Sequence, residues 1–178
     1  MPVSEDLPRH VSRRLVLFAG LAAPATLKAA PQPCEPPRVL FVCPAGTVKS
    51  AIARETLRQR ASAAGVPVRV ISRGISPEDH VSPELAARLK GDGIDPTAEP
   101  ARALTAADVA NADIVIAFDA AAQSPLLSGA ASWKVPSWNG DYAGAKAALA
   151  AEMTALLVGL KTRPCRSPAT QPRPRSPA

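Results

Sequence analysis

The sequence predicts an α/β fold: a doubly wound, four-stranded parallel sheet with helices on both faces. Three observations predict it. Val39-Leu40-Phe41-Val42 and Asp113-Ile114-Val115-Ile116-Ala117-Phe118 are short, nearly unbroken apolar runs, as strands buried on both faces require. Alanine-rich stretches of helical composition separate and follow them, so strands alternate with helices. Hydrophobic residues make up 47% of the chain and aromatics only 3%, which predicts a core packed by Ala, Val, Leu and Ile.

Residues 1–30 predict a twin-arginine-like export signal, because Ser12-Arg13-Arg14 precedes a short apolar run, Leu15 to Ala23. That run is too short to span a bilayer. Export would place the protein in a bacterial periplasm, with membrane contact only through an uncleaved signal; an amphipathic N-terminal arm is the other reading. Residues 31–37, Pro-Gln-Pro-Cys-Glu-Pro-Pro, form a linker that neither helix nor central strand accommodates. The folded domain is expected over 38–161. Residues 162–178, rich in Pro, Ser and Arg, predict a disordered basic tail.

Within the domain, Val39–Val42 is the first strand and runs into the loop Cys43-Pro44-Ala45-Gly46-Thr47-Val48-Lys49-Ser50. A helix follows from Ala51 to Ala64, stopped by Gly65, and Val66–Ile71 alternates as a second strand. Ser82 caps a helix from Pro83 to about Lys90, and Thr105-Ala106-Ala107-Asp108 opens another with a capping-box pattern. Asp113–Phe118 is a buried strand, Trp133–Pro136 a short edge strand, and Tyr142–Lys161 a long closing helix.

The formal net charge of +6 sits at the two ends, because the stretch between them carries 13 acidic and 13 basic residues. A balanced domain lacks the positive field that nucleic acid binding needs, so nucleic acid is excluded as the main partner. His10 and His80 have no ligand-spaced companions, and no metal or cofactor is implied. A monomer is expected.

The Cys43 loop carries the chemistry. It leaves the carboxyl end of a central strand and enters a helix, where open α/β sheets place their ligands. The loop amides from Pro44, Ala45, Gly46, Thr47, Val48 and Lys49 are expected to converge on an oxyanion, aided by the helix N-terminus. The same field favours a thiolate at Cys43, Ser50 can donate to it, and Gly46 supplies a positive φ. A buried, inert thiol is the other reading of Cys43.

Val39 to Ser50, Val-Leu-Phe-Val-Cys-x5-Lys-Ser, resembles the Cys-x5-Arg-Ser signature of the low-molecular-weight protein tyrosine phosphatases and the related arsenate reductases. The likeness continues through Ser72-Arg73-Gly74, Gly93-Ile94-Asp95-Pro96, Ala101-Arg102-Ala103-Leu104-Thr105, Asp113–Asp119 and Val135-Pro136, over about residues 38–160. It implies phosphate-monoester hydrolysis through a Cys43 thiolate and a phosphocysteine intermediate. The partner would be a phosphorylated protein, a small aryl phosphate or an inorganic oxyanion.

Two departures bear on that activity. The family's phosphoryl-clamping arginine is Lys49, which keeps the charge and loses the planar fork. The family's general acid falls at Ser137, and Asp141, four residues on, is the substitute acid if its loop folds inward or a simple helix leader if not. Weak turnover is therefore expected. A non-catalytic oxyanion-binding or redox-sensing module is the alternative, and arsenate reduction a further one, although no cysteine lies between Cys43 and Cys165 to carry a disulfide relay. A sugar-phosphotransferase IIB component shares Cys-x-Ala-Gly, but the export signal and the Ala101–Thr105 match argue against it. Cys34 and Cys165 flank the domain and either pair after export or stay free.

Overall fold

In a computed structural model of the chain, residues 35–163 are described. The export segment, Cys34, Cys165 and all but the start of the basic tail lie outside them.

The first strand, β1 (Arg38–Cys43), is the hub of a parallel sheet ordered β2-β1-β3-β4. It pairs with β2 (Arg69–Gly74) on one side and β3 (Ile114–Phe118) on the other; β4 (Ala131–Trp133) extends the sheet from β3. The period of two along β1 divides the core. Val39, Phe41 and Cys43 face one cluster with Ile52, Leu57 and Met153, while Leu40 and Val42 face Ala117, Ala121 and Leu127 on the other side. The first cluster draws on helices α1 (Lys49–Ala63), α2 (Pro83–Gly91) and α4 (Tyr142–Thr162). The second is covered by α3 (Ala106–Asn111) and two short 3-10 turns over 119–127. Val39 to Val42 are fully buried, as a strand sandwiched between two helical layers must be.

Three expectations are corrected. The second strand starts at Arg69 rather than Val66, because α1 ends in a Schellman motif: Val66 N–H bonds Ala61 O, Gly65 N–H bonds Ser62 O, and Gly65 has φ +63°. The edge strand is Ala131–Trp133 rather than Trp133–Pro136, because its partner β3 ends at Phe118, opposite Trp133. The core is not purely aliphatic. Phe41, Phe118 and Trp133 pack as a triplet with ring centroids 5.7–6.2 Å apart, at the strand ends beneath the Cys43 loop. Such pairs contribute about 0.5–1.5 kcal/mol each beyond the area they bury. The expected caps form as read: Ser82 Oγ accepts from Leu85 N–H, and Thr105 and Asp108 complete a reciprocal capping box.

Candidate active site

The loop after β1 is oriented by its carbonyls. Cys43 O, Pro44 O and Ala45 O accept from the N–H groups of Ile75, Ser76 and Glu78 at 3.2, 2.9 and 3.0 Å. With Ala45 O tied to the 75–78 segment, the Ala45–Gly46 peptide turns its N–H the other way, onto Cys43 Sγ. Gly46 makes the turn at φ +76°, and an added Cβ there would stand 2.9 Å from Gly74 N. Gly74 is equally confined, since its Cβ would meet Ala45 C at 2.8 Å. Two glycines thus permit a backbone contact that no side chain would fit. Pro44 belongs to the loop but has no N–H, so its predicted anion contact cannot come from a backbone donor.

Cys43 Sγ sits at the start of this turn, 4% exposed, accepting from Gly46 N–H at 3.2 Å and lying 3.1 Å from Ser50 Oγ. Ser50 is fully buried in the first turn of α1, and its hydroxyl also lies 3.4 Å from Arg73 O. The sulfur thus lies against one backbone amide and one hydroxyl at the N-terminal end of α1. Thr47 is nearly buried, Val48 is the N-cap residue of α1, and Ala45 is half-buried. Cys43 through Ser50 are therefore gathered at one strand-to-helix junction, as expected.

Lys49 takes a different course. Its Nζ donates to Asp119 Oδ1 at 2.7 Å and to Val135 O at 2.6 Å, bridging the start of α1 to the end of β3 and to the segment after β4. Asp119 holds φ 53°, in the left-handed region that Asp tolerates better than most residues. The salt bridge ties the lysine charge to Asp119 on the far side of the sheet's central strands. The sequence pattern noted Asp119 only as the end of a strand. Nothing local joins it to a lysine 70 residues earlier.

A second residue missed in the sequence is Arg54, 1% exposed on the sheet-facing side of α1. Its guanidinium donates to Ser72 Oγ at 2.8 Å, Glu55 at 2.6 Å and Pro96 O at 3.3 Å, with Glu99 at 3.6 Å. A buried arginine so paired anchors α1 against β2 below the loop. Its signal was a single cation among Ala51, Ile52, Ala53 and Leu57, all buried.

The segment from Lys134 to Asp141 crosses beside the loop. Ser137 is exposed, and its carbonyl accepts from Gly140 and Asp141 N–H in a turn. Asp141 caps α4, its Oδ1 accepting Gly144 N–H at 2.8 Å. Trp138 is 3% exposed and edge-on to Tyr142 at 5.3 Å, so it packs the core. His80 is exposed and, with Asp79, Pro96 and Glu99, walls a cleft of about 310 Å3 that opens beside Thr47. Among the described residues no cluster of three metal-ligating side chains occurs.

Comparison with known proteins agrees with this geometry. No curated protein sequence matches the chain. Among solved structures, the arginine phosphatase YwlE from Geobacillus stearothermophilus superposes with a TM-score of 0.57 at 22% identity, covering 71% of this chain and 94% of that one. The low molecular weight protein tyrosine phosphatase SP-PTP from Streptococcus pyogenes gives 0.56 at 20% identity, covering 70% and 93%. An arsenate reductase in its phosphate-binding state gives 0.56 at 17% identity, covering 70% and 98%. These likenesses establish a common fold. The sequence profile described as low molecular weight phosphotyrosine protein phosphatase matches residues 38–147, from the first residue of β1 into α4, and the chain belongs to that family.

Proposed function

We propose that the domain hydrolyses phosphate monoesters slowly, with Cys43 as nucleophile. The observation that carries this reading is the environment of Sγ, with Gly46 N–H at 3.2 Å and Ser50 Oγ at 3.1 Å at the head of α1. The thiolate attacks phosphorus, forming an S–P bond as the ester P–O bond breaks. Water then attacks the phosphocysteine, the S–P bond breaks, and phosphate leaves with the thiolate restored. Ser137 is no carboxylic acid, so the first leaving group departs as its anion or takes a proton from solvent. Phenols, with pKa about 10, tolerate that far better than alcohols or a guanidino group.

The decisive experiment compares 4-nitrophenyl phosphate, an alkyl phosphate and phosphoarginine with wild type and Cys43→Ser. Slow aryl turnover that Cys43→Ser abolishes, with alkyl and guanidino substrates slower still, is expected. Equal rates on all three, or activity that survives Cys43→Ser, would overturn the reading.

One observation favours a second reading, a phosphate- or sulfate-binding module without turnover. Lys49, the one cation beside the loop in the family motif, is engaged by Asp119 and Val135 O. Tight phosphate binding with no aryl hydrolysis would select it. Arsenate reduction is less well supported, since positions 44–163 contain no second cysteine. The Ser12–Ala23 pattern supports action after export, on a periplasmic phosphoprotein, an aryl phosphate or an inorganic oxyanion; N-terminal sequencing of the periplasmic form tests it.

A further inference from the structure

The described chain begins at Glu35 and ends at Arg163, and both ends converge on one residue, Asp113, at the amino end of β3. Arg38 N–H donates to Asp113 Oδ2 at 2.8 Å, and Asp113 N–H donates in return to Arg38 O at 2.8 Å. Glu35 is tied to this junction by its ion pair with Arg38 at 3.1 Å, and Arg163 by its Nη1, which donates to Asp113 O at 3.4 Å. The packing agrees: Leu160, in the last turn of α4, shares one core cluster with Val39 of β1 and Ile114 of β3. Helix α4 thus starts beside the Cys43 loop and finishes at the end of the sheet where β1 enters.

One cysteine of the sequence stands just beyond each end: Cys34 directly before Glu35, and Cys165 two residues after Arg163. Prolines lie on both approaches, Pro36 and Pro37 before β1 and Pro164 before Cys165, and their fixed φ lowers the freedom lost when the ends are joined. A chain advances at most about 3.6 Å per residue, so three residue steps reach about 11 Å. A disulfide spans about 4.4–6.8 Å more between its Cα atoms, so the anchored ends need only stand within about 16 Å of each other. Cys43 is no rival partner. It is 4% exposed at the opposite end of β1, about 17 Å from Arg38 at about 3.3 Å per residue.

We infer that Cys34 and Cys165 form a disulfide that staples the two ends of the domain and leaves Cys43 as the one free thiol. The oxidant is a second disulfide, carried by a protein or by glutathione. One cysteine thiolate attacks it and releases its first thiol; the other cysteine then displaces the second thiol from the mixed disulfide. One S–S bond forms, one breaks, and two electrons pass to the oxidant, which leaves as two thiols. An exported chain meets such oxidants, so the bridge suits the Ser12–Ala23 pattern. Because it closes a loop around nearly the whole domain, the bridge restricts the unfolded chain strongly.

Trypsin separates the three cysteines, because cuts after Lys28, Arg38, Lys49, Lys161 and Arg166 place them in the peptides 29–38, 39–49 and 162–166. The full chain, incubated with oxidised glutathione, alkylated in denaturant and digested without reduction, should give 29–38 joined to 162–166, with Cys43 alone alkylated. The oxidised protein should melt at least about 5 °C above its reduced form, and Cys34→Ser and Cys165→Ser should each abolish that difference. Cys43→Ser should form the same link, so the staple stands or falls apart from the phosphatase reading. Three alkylated thiols, a link through Cys43 or a covalent dimer would overturn the bridge. A linked protein that melts no higher than its reduced form would overturn its stapling role.

Discussion

Two stretches are joined by Lys49, whose Nζ donates to Val135 O, and they are fixed in different ways. The loop 43–50 is fixed by backbone, through three carbonyls bonded to 75–78 and the close contact of Gly46 with Gly74. The segment 134–141 is fixed by side chains: Lys49 Nζ on Val135 O, Trp138 edge-on to Tyr142, and Asp141 capping α4. A backbone-built site depends little on which side chains its loop carries. A site built on one side chain loses its chemistry when that residue changes, and under the proposed reading Ser137 is such a change. The family fold needs only the first kind of support, and the proposed activity needs both.

The strongest way to break this comparison is to restore the missing half. In the double variant Ser137→Asp, Lys49→Arg, aryl phosphate turnover should rise about a hundredfold or more, the usual contribution of a placed general acid. Arginine adds a planar fork for the phosphoryl oxygens. Steady-state rates across pH 4–8 check it, and the double variant should gain an acidic limb that wild type lacks. If the rate stays flat, the 134–141 segment does not present position 137 to a leaving group, and the contrast between the two stretches is drawn wrongly.

Gly46→Ala attacks the backbone-built half. Its Cβ would stand 2.9 Å from Gly74 N on a residue at φ +76°, so loop and β2 end must separate. A loss of about 2–3 kcal/mol in stability and at least tenfold weaker phosphate binding are expected. Denaturant melts and calorimetric phosphate titration measure both. Normal phosphate affinity in a folded Gly46→Ala would mean that the loop amides do not hold the anion.

Asp119→Asn sharpens the role of Lys49. Removing the carboxylate frees a cation with 15% side-chain exposure from a pair worth about 1 kcal/mol, so phosphate affinity should rise about fivefold. Calorimetry at low and moderate salt tests this, and the gain should shrink as salt screens it. An unchanged affinity would show that Lys49 already serves the anion from its bridged position.

Much of the backbone-built half was legible in the sequence, because its signals are local. An apolar run, a Cys-to-Ser loop with Gly46 and an alanine-rich helix are contiguous, and the cap at Ser82 and the capping box at Thr105 are each read over four residues. The side-chain-built half depends on distant partners. Lys49 meets Asp119 and Val135 across separations of 70 and 86 residues, and Arg54 is buried only because Ser72 and Pro96 O come to it. The β2 start slipped for a local reason: Val66 favours a strand by type, yet its N–H closes the end of α1.

The smallest effect separates the two stretches by pH. Burial, and then the hydrogen bond to Asp92, pushes the Tyr142 hydroxyl up to about 12, and Asp92 is held below its usual range chiefly by Lys146 and then by Tyr142. A tyrosine raised from about 10 in the unfolded chain contributes stability that is complete below pH 10 and lost as pH climbs toward 12. After solvent screening this amounts to about 1 kcal/mol. The Tm difference between wild type and Tyr142→Phe should therefore be largest at pH 8–9 and vanish by pH 12. Trp138 rests on this ring, so its fluorescence should change over the same interval in wild type and not in Tyr142→Phe. The loop 43–50 has no titrating bond of this kind to Tyr142, and its backbone contacts with 75–78 should outlast the change. A Tm difference that persists at pH 12 would mean that the Tyr142–Asp92 bond is not what steadies the segment after β4.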